Sequence, residues 1–579
     1  MAPSNKEKKG AGINVETQSQ PLNGKTNTSG SVKNKLENGA PVATSGGNGV
    51  AKPTQEDILP YTPLDEIPVR VARLTESFHK TRKTHSIQYR LNQLRNLYFA
   101  VKDNVDPICD ALYKDFYRSP SETKNLEIAG GLSELLHVMS SLHKWVKPER
   151  VTDLSVSMKT TPVYIERVPL GTVLVISPFN YPFLLSLSSI VAGLAGGNVV
   201  VFKPSESTPH FSKLFCDIVS EALDDDIFYA INGAIPETTK ALEQKYDKIM
   251  YTGSTVVGTI IAKKAAETLT PVLLELGGKS PCFVLDDVKD KDIPTIARRI
   301  VWGRFTNCGQ TCVAVDYVLA HASVKDKLVK AMIKVIEEDF YSSLNKDDKG
   351  YTHLIHDRAF ANLSKTLDDT KGDIVVGGLR DESTRFLSPT IIDNCSWDDS
   401  TMKAELFGPL LPVLTYTDLS TATAEVIKHH DFPLAQYIFT SGPTSRKNPQ
   451  VDQILTSVRS GGAIVNDVIM HFSLTNAPIG GVGTSGQGAY HGYYSFRAFT
   501  HERTTMEQPL YNDFALAARY PPFSDKKDKL IQSSMTRHNG NVWFGRTGDV
   551  RYNGPNPLWA VWTGFTGICT LGYNLVNAL

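Results

Sequence analysis

Two hydrophobic patterns divide the body of the chain. Over residues 61–147 apolar residues recur every three or four positions, which predicts amphipathic helices. Short, continuous apolar runs follow, separated by helical stretches; the runs are Val173–Ile176, Val199–Phe202 and Ile249–Tyr251. Such runs are typical of strands buried on both faces of a parallel sheet. The pattern therefore predicts an α/β fold with helical crossovers, and a second α/β series over about residues 281–459.

Polar residues stand directly after each predicted strand. They are Ser177–Asn180, Lys203–Glu206 and Thr252–Ser254. In open parallel sheets, ligands bind outside the carboxyl ends of the strands. We therefore expect these three segments to meet at one ligand site.

The two ends of the chain have other patterns. Residues 1–55 are rich in Gly, Ser, Thr, Asn and Lys with few apolar positions, which predicts a disordered head. Residues 557–579 carry no charge and are close to the roughly 20 residues that span a bilayer. They predict a membrane-associated tail, inserted or lying in the interface; the alternative is a segment docked on the protein surface. Basic residues before the tail favour a body on the cytosolic side.

Composition narrows the class of protein. A length of 579 residues predicts two or three domains, and 41% hydrophobic with 21% charged residues is globular. Lys and Arg total 61, as do Asp and Glu, which argues against a nucleic-acid partner. The 7 cysteines do not form a disulfide framework or a zinc-binding spacing, so we expect free thiols and no metal site.

Cys312 is the candidate nucleophile. It ends the segment Asn307-Cys308-Gly309-Gln310-Thr311-Cys312, whose small and polar residues suit a reactive thiol. The alternative is a buried structural cysteine. Cys308 lies four residues earlier, so it would share a helix face with Cys312 if this segment is helical, as a redox companion or only as a neighbour.

Glu275 is the candidate general base. It follows the apolar run Val272–Leu274 and precedes Leu276-Gly277-Gly278-Lys279, so it stands at a strand end before a glycine pair. A partly desolvated glutamate can serve as a base near neutral pH. The alternative is a carboxylate that caps a turn.

The remaining polar segments carry binding chemistry. Asn180 could donate its amide to an oxyanion, or form an Asx turn before Pro182. Lys203 and Glu206 offer a cation and a ribose acceptor, or an exposed ion pair. Gly253, Ser254 and Gly258 stand at a predicted helix start and could approach a pyrophosphate, although they lack the GxGxxG spacing and glycine pairs at helix entries are common.

Taken in order, these segments resemble the aldehyde dehydrogenase superfamily. Three later segments match as well: Glu405–Pro409, Asn466–His471 and Pro478–Gly486. Within the superfamily the chain is most similar to the class 3 and fatty aldehyde branch of fungal type. The pointers are Asn307–Cys312, His501-Glu502-Arg503, Arg519–Pro522 and the apolar tail. Departures at Val315, Ala404 and Ile479 bear on pocket shape rather than on reaction class.

The resemblance implies a Rossmann-like NAD-binding domain, an α/β catalytic domain and a β bridging or oligomerisation segment. The expected boundaries are 56–278 for the NAD-binding domain with bridging strands near 152–168, 279–470 for the catalytic domain, 471–510 for the bridging segment, 511–556 for a C-terminal extension and 557–579 for the tail. It also implies a homodimer.

The resemblance further implies a reaction. Cys312 attacks the aldehyde, and the amide of Asn180 with the backbone N–H of Cys312 holds the oxyanion. After hydride transfer Glu275 activates the water that hydrolyses the thioester. Lys203 and Glu206 bind the adenosine ribose, Glu405 binds the nicotinamide ribose, and Phe407 packs nearby. A carboxylate at Glu206 favours NAD, with NADP possible.

Several substrates and two rival functions stay open. Long-chain fatty aldehydes are the first expectation, because a membrane-associated enzyme meets lipophilic substrates; apocarotenoid or other isoprenoid aldehydes come second and aromatic aldehydes third. The rivals are a coenzyme-A-acylating enzyme, which Glu275 argues against, and a catalytically silent membrane scaffold. The expected location is the cytosolic face of the endoplasmic reticulum, a lipid droplet or the mitochondrial outer membrane.

Overall fold

The structure is a computed structural model of the 579-residue chain. It describes residues 60–152, 154, 158, 161–348, 350–535, 542, 543, 546–552, 565, 569 and 573. The predicted head at 1–55 lies outside the described residues, as does the predicted tail at 557–579 apart from three positions. Among the described residues, none of the helices combines the length and the apolar character needed to cross a bilayer.

The described α-helices are α1 Glu66–Thr81, α2 Ile87–Asp103, α3 Val105–Phe116, α4 Pro120–Thr123, α5 Ala129–Trp145, α6 Pro182–Ala195, α7 Pro209–Ala222, α8 Ile235–Leu242, α9 Thr255–Ala266, α10 Ile293–Phe305, α11 Lys325–Lys334, α12 Asp357–Asp369, α13 Leu419–His430, α14 Pro449–Ser457, α15 Tyr493–Ala498 and α16 Asp525–Met535. Two π-helical turns are Lys124–Ile128 and Val335–Phe340. Turns of 3₁₀ helix are Lys83–His85, Thr306–Gly309, Ser400–Met402, Met470–Ser473, Gly483–Ser485 and Leu510–Arg519.

The described strands are β1 Glu149–Arg150, β2 Val163–Pro169, β3 Thr172–Ile176, β4 Val199–Lys203, β5 Phe228–Ala230, β6 Lys248–Thr252, β7 Val272–Glu275, β8 Pro281–Val284, β9 Tyr317–His321, β10 Asp373–Val376, β11 Arg380–Asp381, β12 Phe386–Leu387, β13 Thr390–Asp393, β14 Leu410–Tyr416, β15 Ala435–Phe439, β16 Gly462–Val465, β17 Gly486–Gln487, β18 Thr500–Met506, β19 Val542–Trp543 and β20 Arg551–Tyr552.

The first large sheet has the strand order β17-β7-β6-β3-β4-β5. Its strands from β7 to β5 run parallel, and β17 joins antiparallel to β7. The apolar runs predicted as buried strands are β3, β4 and β6, and their side chains belong to one hydrophobic core together with those of α2, α5, α6 and α7. Because β7, β6, β3 and β4 are parallel neighbours, their carboxyl ends meet along one edge.

The second large sheet has the order β10-β13-β14-β9-β8-β15-β16 and is parallel apart from β10. Successive residues of β8, and Leu285 after it, point to opposite faces: Cys282 and Val284 join one core cluster, and Phe283 and Leu285 join the other. Burial on both faces explains why these strands read as continuous apolar runs. The α/β fold class expected from the sequence is confirmed.

A smaller sheet joins distant parts of the sequence. Strand β2 pairs antiparallel with β1 on one side and with β18 on the other, with Ile165 opposite Thr504. The predicted bridging segments are 152–168 and 471–510. Strand β2 overlaps the first of them, and β18 lies within the second. The domain boundaries themselves stay a prediction.

Candidate active site

The carboxyl edge of the first sheet gathers the predicted polar residues. Glu275 ends β7, Gly253 follows β6, Asn180 lies four residues after β3, and Lys203 ends β4. The order β7-β6-β3-β4 sets these residues side by side, as expected from their positions after successive strands.

Cys312 lies between two cavities. One has a volume of about 620 Å³ and extends along the carboxyl edge of the first sheet. The other has a volume of about 440 Å³ and lies between the π turn that follows α4, α6 and the segment after Ile469. Cys312 lines both, so its thiol can meet one molecule held on each side. We call these the edge cavity and the apolar cavity.

Most predicted binding residues line the edge cavity. These are Asn180, Lys203, Glu206, Gly253, Ser254, Glu275, Glu405 and Phe407. Gly258 does not line it. A Cβ atom on Gly258 would lie 2.5 Å from Cδ2 of Leu276, so this glycine lets α9 pack closely on the loop that follows Glu275.

Lys203 and Glu206 form an ion pair, with 2.6 Å between Nζ and Oε2. Lys203 is buried, whereas the side chain of Glu206 is 43% exposed. The alternative of an exposed ion pair therefore describes Glu206 but not Lys203. Two carboxylate oxygens and a positioned ammonium at this edge suit vicinal hydroxyl groups of a sugar.

The start of α9 suits a phosphate group. Ser254 is its N-cap and accepts a hydrogen bond from the N–H of Val257 at 3.4 Å. The first backbone N–H groups of a helix and its dipole favour an anion. Nearby, Ile235 and Ile260 line the cavity with side chains that are 78% and 57% exposed. This apolar wall beside a helix start fits the adenine and pyrophosphate of a dinucleotide.

Glu275 is a buried, partly unpaired carboxylate. It is 4% exposed, and no described residue forms a hydrogen bond with its Oε1. Burial raises the pKa of Glu275 well above its usual value. Its backbone is fixed on both sides, because its carbonyl accepts from Gly253 at 3.0 Å and Gly486 pairs with it across the sheet. Such a carboxylate can take a proton near neutral pH.

The thiol of Cys312 is held as the neutral form when the protein is alone. Burial raises its pKa to about 12, and Glu405 and Glu275 add to that shift through their negative charge. The backbone N–H groups of Cys312 and Val313 face the sulfur and oppose the shift. A positive charge or further donors brought to the edge cavity would favour the thiolate.

The amide of Asn180 is directed by the loop before Cys312. Its Nδ2 donates to the carbonyl of Gln310 at 3.1 Å. Asn307 donates from its own Nδ2 to the carbonyls of Asn180 and Gln310, at 2.9 and 3.1 Å. One N–H of Asn180 is thus used for orientation, and a planar amide has a second N–H to offer to a ligand.

The segment before Cys312 is not a continuous helix. Asn307, Cys308 and Gly309 all have positive φ, which reverses the chain after α10. Cys308 is therefore buried against Tyr351, with 3.6 Å between Sγ and Oη, rather than on a shared helix face with Cys312. The redox-companion hypothesis loses the helical spacing on which it depended.

Glu405 and Phe407 close the edge cavity. Burial raises the pKa of Glu405 to about 8, with Asp316 adding to the shift and the N–H of Gly278 opposing it. A Cβ on Gly277 would lie 2.1 Å from the carboxylate of Glu405, so that glycine admits the glutamate. The ring of Phe407 packs edge-on against Phe179 at 5.8 Å.

The apolar cavity has a wall that the sequence motifs did not identify. Its apolar side chains include Leu126, Leu184, Leu185, Trp302, Met470 and Phe472. They come from four separate parts of the chain, so no single local pattern joins them all. The spacing of Leu126, Gly130 and Ser133 along the helical region is the one signal that sequence reasoning could have used.

Asp316 connects several segments of the site, and no sequence motif identified it. Its carboxylate accepts from Lys279 at 2.6 Å and from Arg304 at 2.8 Å. It also accepts from the N–H of Leu406 at 3.3 Å. Arg304 donates in addition to the carbonyl of Gly408. Lys279, Arg304 and Asp316 are all buried, so this ion cluster fastens the loops of Glu275 and Glu405 to the chain that follows Cys312.

The model of the Aldehyde dehydrogenase family matches residues 65–505 of this chain. The chain belongs to the aldehyde dehydrogenase family. This confirms the predicted resemblance, and the protein is thus an aldehyde dehydrogenase, an oxidoreductase that uses NAD(P).

Similar proteins share most of the chain. It is 40% identical over 512 residues to fatty aldehyde dehydrogenase HFD1 of Saccharomyces cerevisiae, covering 86% of this chain and 94% of that one. It is 38% identical to beta-apo-4'-carotenal oxygenase of Neurospora crassa, covering 89% and 94%. It is also 38% identical to the dimeric NADP-preferring aldehyde dehydrogenase of Rattus norvegicus, covering 79% and 98%.

A solved aldehyde dehydrogenase has the same fold. The substrate-bound state of AldH from Staphylococcus aureus matches with a TM-score of 0.76 and 35% identity, covering 80% of this chain and 98% of that one. The predicted similarity to the fatty aldehyde branch is likewise confirmed by the identity to the yeast enzyme.

The ion cluster generates a stability prediction. In Asp316→Asn the buried cations Lys279 and Arg304 lose their shared anion, so we expect a loss of about 3–5 kcal/mol in the free energy of unfolding. Burial alone would raise the pKa of Asp316, but the two cations lower it below its usual value. Its stabilisation is therefore present above about pH 4 and is lost as the pH falls through the lowered pKa. Urea unfolding across pH measures both effects.

Asp399→Asn is the matched control. Asp399 is equally buried, but its donors among the described residues are all neutral: the hydroxyls of Thr370, Ser400 and Thr401 and two backbone N–H groups. We expect it to cost about 1–3 kcal/mol. Equal losses in the two variants would contradict a special contribution from the ion cluster.

Proposed function

We propose that this aldehyde dehydrogenase oxidises long-chain aliphatic aldehydes to carboxylic acids with NAD, using Cys312 as its nucleophile. The observation that carries the proposal is the position of Cys312 between a cavity suited to a dinucleotide and a cavity with an apolar wall. An aldehyde whose chain occupies the apolar cavity presents its carbonyl carbon to the thiol, and the cofactor approaches from the other side.

In this proposal the chain supplies a nucleophile and an oxyanion site. The sulfur of Cys312 adds to the aldehyde carbon and yields a thiohemiacetal. The N–H of Cys312 and the amide of Asn180 donate to the oxygen that gains negative charge. Asn180 is supported in this role by its hydrogen bond to Gln310, which fixes the amide plane.

Glu275 is proposed as the base for the second half of the reaction. The carbon of the thiohemiacetal on Cys312 loses a hydride and becomes a thioester; bound NAD would supply the hydride acceptor. Glu275 then takes a proton from water that attacks the thioester. The unpaired Oε1 and the raised pKa of Glu275 support this role, because a base with a pKa nearer neutrality is better matched to the reaction.

The edge cavity is proposed to bind the cofactor through its own residues. Lys203 and Glu206 would hold the adenosine ribose, Gly253 and Ser254 the pyrophosphate, and Glu405 the nicotinamide ribose, with Phe407 packing beside it. Gly258 contributes through the packing of α9. Glu206 would repel a 2′-phosphate, which favours NAD. NADP stays an alternative, since the relative from Rattus norvegicus prefers it by name.

A second substrate class has support of its own. The carotenal oxygenase of Neurospora crassa is 38% identical over 520 residues, so apocarotenoid or other isoprenoid aldehydes are the alternative. The same apolar wall would hold them. Yeast HFD1 is slightly more similar, at 40%, and is named for fatty aldehydes, which places the aliphatic substrates first.

Assembly and location are part of the proposal. The name of the Rattus norvegicus relative includes "dimeric", and strand β18 lies at the edge of its sheet among the described strands, which supports a homodimer. We also propose that residues 557–579 bind the cytosolic surface of a membrane, because their composition is uncharged and includes Trp559, Trp562 and Tyr573.

The primary experiment measures reduction of NAD with hexadecanal and with propanal. We expect strong production of NADH with hexadecanal and none with Cys312→Ser. Leu126→Trp should fill part of the apolar cavity and raise KM for hexadecanal on the order of tenfold, with little change for propanal.

Leu136→Trp is the matched control, because Leu136 lies on α5 and is 46% exposed. An equal effect of the two tryptophan variants, or of Leu126→Trp on both substrates, would contradict the assignment of the apolar cavity. Oxidation of an apocarotenal but not of hexadecanal would favour the second substrate class.

Glu275→Gln should separate the two half reactions. We expect the first turnover to produce a burst of NADH, while the steady rate falls on the order of 10²–10⁴-fold because no base activates water. In the wild type, the steady rate should rise with pH through the raised pKa of Glu275, and this rise should be absent in the variant. Normal steady turnover in Glu275→Gln would remove this residue from the role.

A deletion of residues 557–579 tests the tail. In a flotation gradient with vesicles of phosphatidylcholine and phosphatidylserine, we expect the full chain to float with the vesicles. The shortened chain should stay in the bottom fraction. Activity towards propanal should be equal in both, since the tail lies outside the proposed site. Equal flotation of the two proteins would argue for a tail docked on the protein surface.

A further inference from the structure

A π-helical turn interrupts a helical region beside the active site. The chain passes from α4 through the turn Lys124–Ile128 into α5 without leaving a helical path. Such turns are rare and are frequent at functional sites. They add a residue to the helix and shift the following side chains round its axis. Here the turn carries Asn125 and Leu126 in the wall of the apolar cavity, and it carries Glu127 into the protein interior.

Glu127 caps a helix that belongs to another part of the chain. Its side chain is fully buried, and its Oε2 accepts from the N–H groups of Phe183 and Leu184 at 2.8 and 3.0 Å. These groups begin α6, whose own N-cap residue, Tyr181, supplies no side-chain cap. A carboxylate at this position also interacts favourably with the helix dipole.

Arg118 connects Glu127 to Asn180. One guanidinium nitrogen donates to Oε1 of Glu127, and the other donates to the carbonyl of Asn180. Arg118 is fully buried, and its guanidinium lies 5.1 Å from the ring centroid of Tyr181. The hydroxyl of Tyr181 is in turn 2.7 Å from that of Thr311, next to Cys312.

Asn180 is therefore fixed from two directions. Arg118 holds its carbonyl from the side of the helical region, and Asn307 holds the same carbonyl from the loop before Cys312. The backbone of Asn180 decides where its amide points, and an oxyanion donor acts only within a few tenths of an ångström of its proper place.

We propose that Arg118 and Glu127 are positioning residues for the oxyanion donor, holding Asn180 at the distance from Cys312 that the addition step requires. The inference rests on the proposed roles of Cys312 and Asn180. Neither residue touches the reacting atoms; Arg118 acts through the carbonyl of Asn180, and Glu127 acts through Arg118 and the start of α6.

The test is Glu127→Gln in the full-length chain at saturating NAD. The rate of the NADH burst with hexadecanal should fall roughly 10- to 100-fold, because a small displacement of the donor weakens stabilisation of the oxyanion. KM should change by less than about threefold, since binding of the alkyl chain is a separate interaction. Alkylation of Cys312 by iodoacetamide should keep its rate within about twofold, because that displacement forms no oxyanion.

The alkylation is followed on the peptide that contains Cys312, since Cys569 is exposed and also reacts. A merely structural role would lower both rates together. A parallel fall in the burst and in the alkylation of Cys312 would therefore overturn the proposal.

A double-mutant comparison shows whether Glu127 acts through Asn180. In an Asn180→Ala background, adding Glu127→Gln should lower the burst rate by no more than about twofold, since the donor is already gone. The same 10- to 100-fold fall in both backgrounds would overturn the proposal.

Two further variants keep the test decisive if Glu127→Gln does not fold. Arg118→Lys keeps a positive charge opposite Glu127, but its single ammonium group lacks the second nitrogen that donates to Asn180. The rate of the NADH burst should therefore fall, while the rate of alkylation of Cys312 should stay unchanged. Asp115→Asn is the matched control, because Asp115 caps α7 from α3 through the N–H groups of His210 and Phe211 at 3.1 and 2.9 Å. It should lower thermal stability without changing the ratio of burst to alkylation.

The wild-type chain separates failure of this inference from failure of the proposed function. A wild type that gives no burst with any aldehyde contradicts the roles of Cys312 and Asn180 themselves. A wild type with a normal burst, beside an Arg118→Lys variant with the same ratio of burst to alkylation, contradicts only the positioning role.

Discussion

The buried carboxylate of Asp316 is the constraint on which the geometry of the site depends. It lies four residues after Cys312, and it binds Lys279 from the loop of the proposed base and Arg304 from the helix before the nucleophile. A further bond reaches Leu406, next to Glu405. Two cations and one anion buried together tolerate little displacement, because each charge would otherwise be left unpaired. The segments of Glu275, Cys312 and Glu405, which are distant in the sequence, are thus all held by the same carboxylate.

The first large sheet also positions residues of the site. The thiol of Cys312 lies where these residues meet the chain that leads into the second large sheet. Asn180 and Glu275 follow strands of the first sheet, whereas Cys312 precedes the second strand of the other large sheet. A hydrogen bond from Asn307 to the carbonyl of Asn180 connects the chain before Cys312 to the edge of the first sheet. The edge cavity lies on the first-sheet side of Cys312, and the apolar cavity is enclosed by helices and by the segment after Ile469.

The sequence was most informative where chemistry and local pattern coincide. The apolar runs at residues 173–176 and 199–202 became β3 and β4 because a strand buried on both faces needs an unbroken apolar run. The residues after those strands lie at one edge, because neighbouring parallel strands end on the same side of a sheet. The partners of Asp316 and the turn that buries Glu127 depend on contacts between distant segments, which no local spacing encodes. The wall around Leu126 is local only in the spacing of Leu126, Gly130 and Ser133, and its other side chains come from distant segments. The positive φ of Cys308 likewise reflects contacts made after folding rather than its residue type.

The unreactive resting state of Cys312 has a consequence for survival of the enzyme in an oxidising or electrophile-rich cell. Peroxides and electrophiles consume the thiolate rather than the thiol. A sulfur whose pKa is raised to about 12 by burial and two carboxylates stays almost wholly protonated at neutral pH. Burial and the two carboxylates therefore lower the share of the form that oxidants and electrophiles attack.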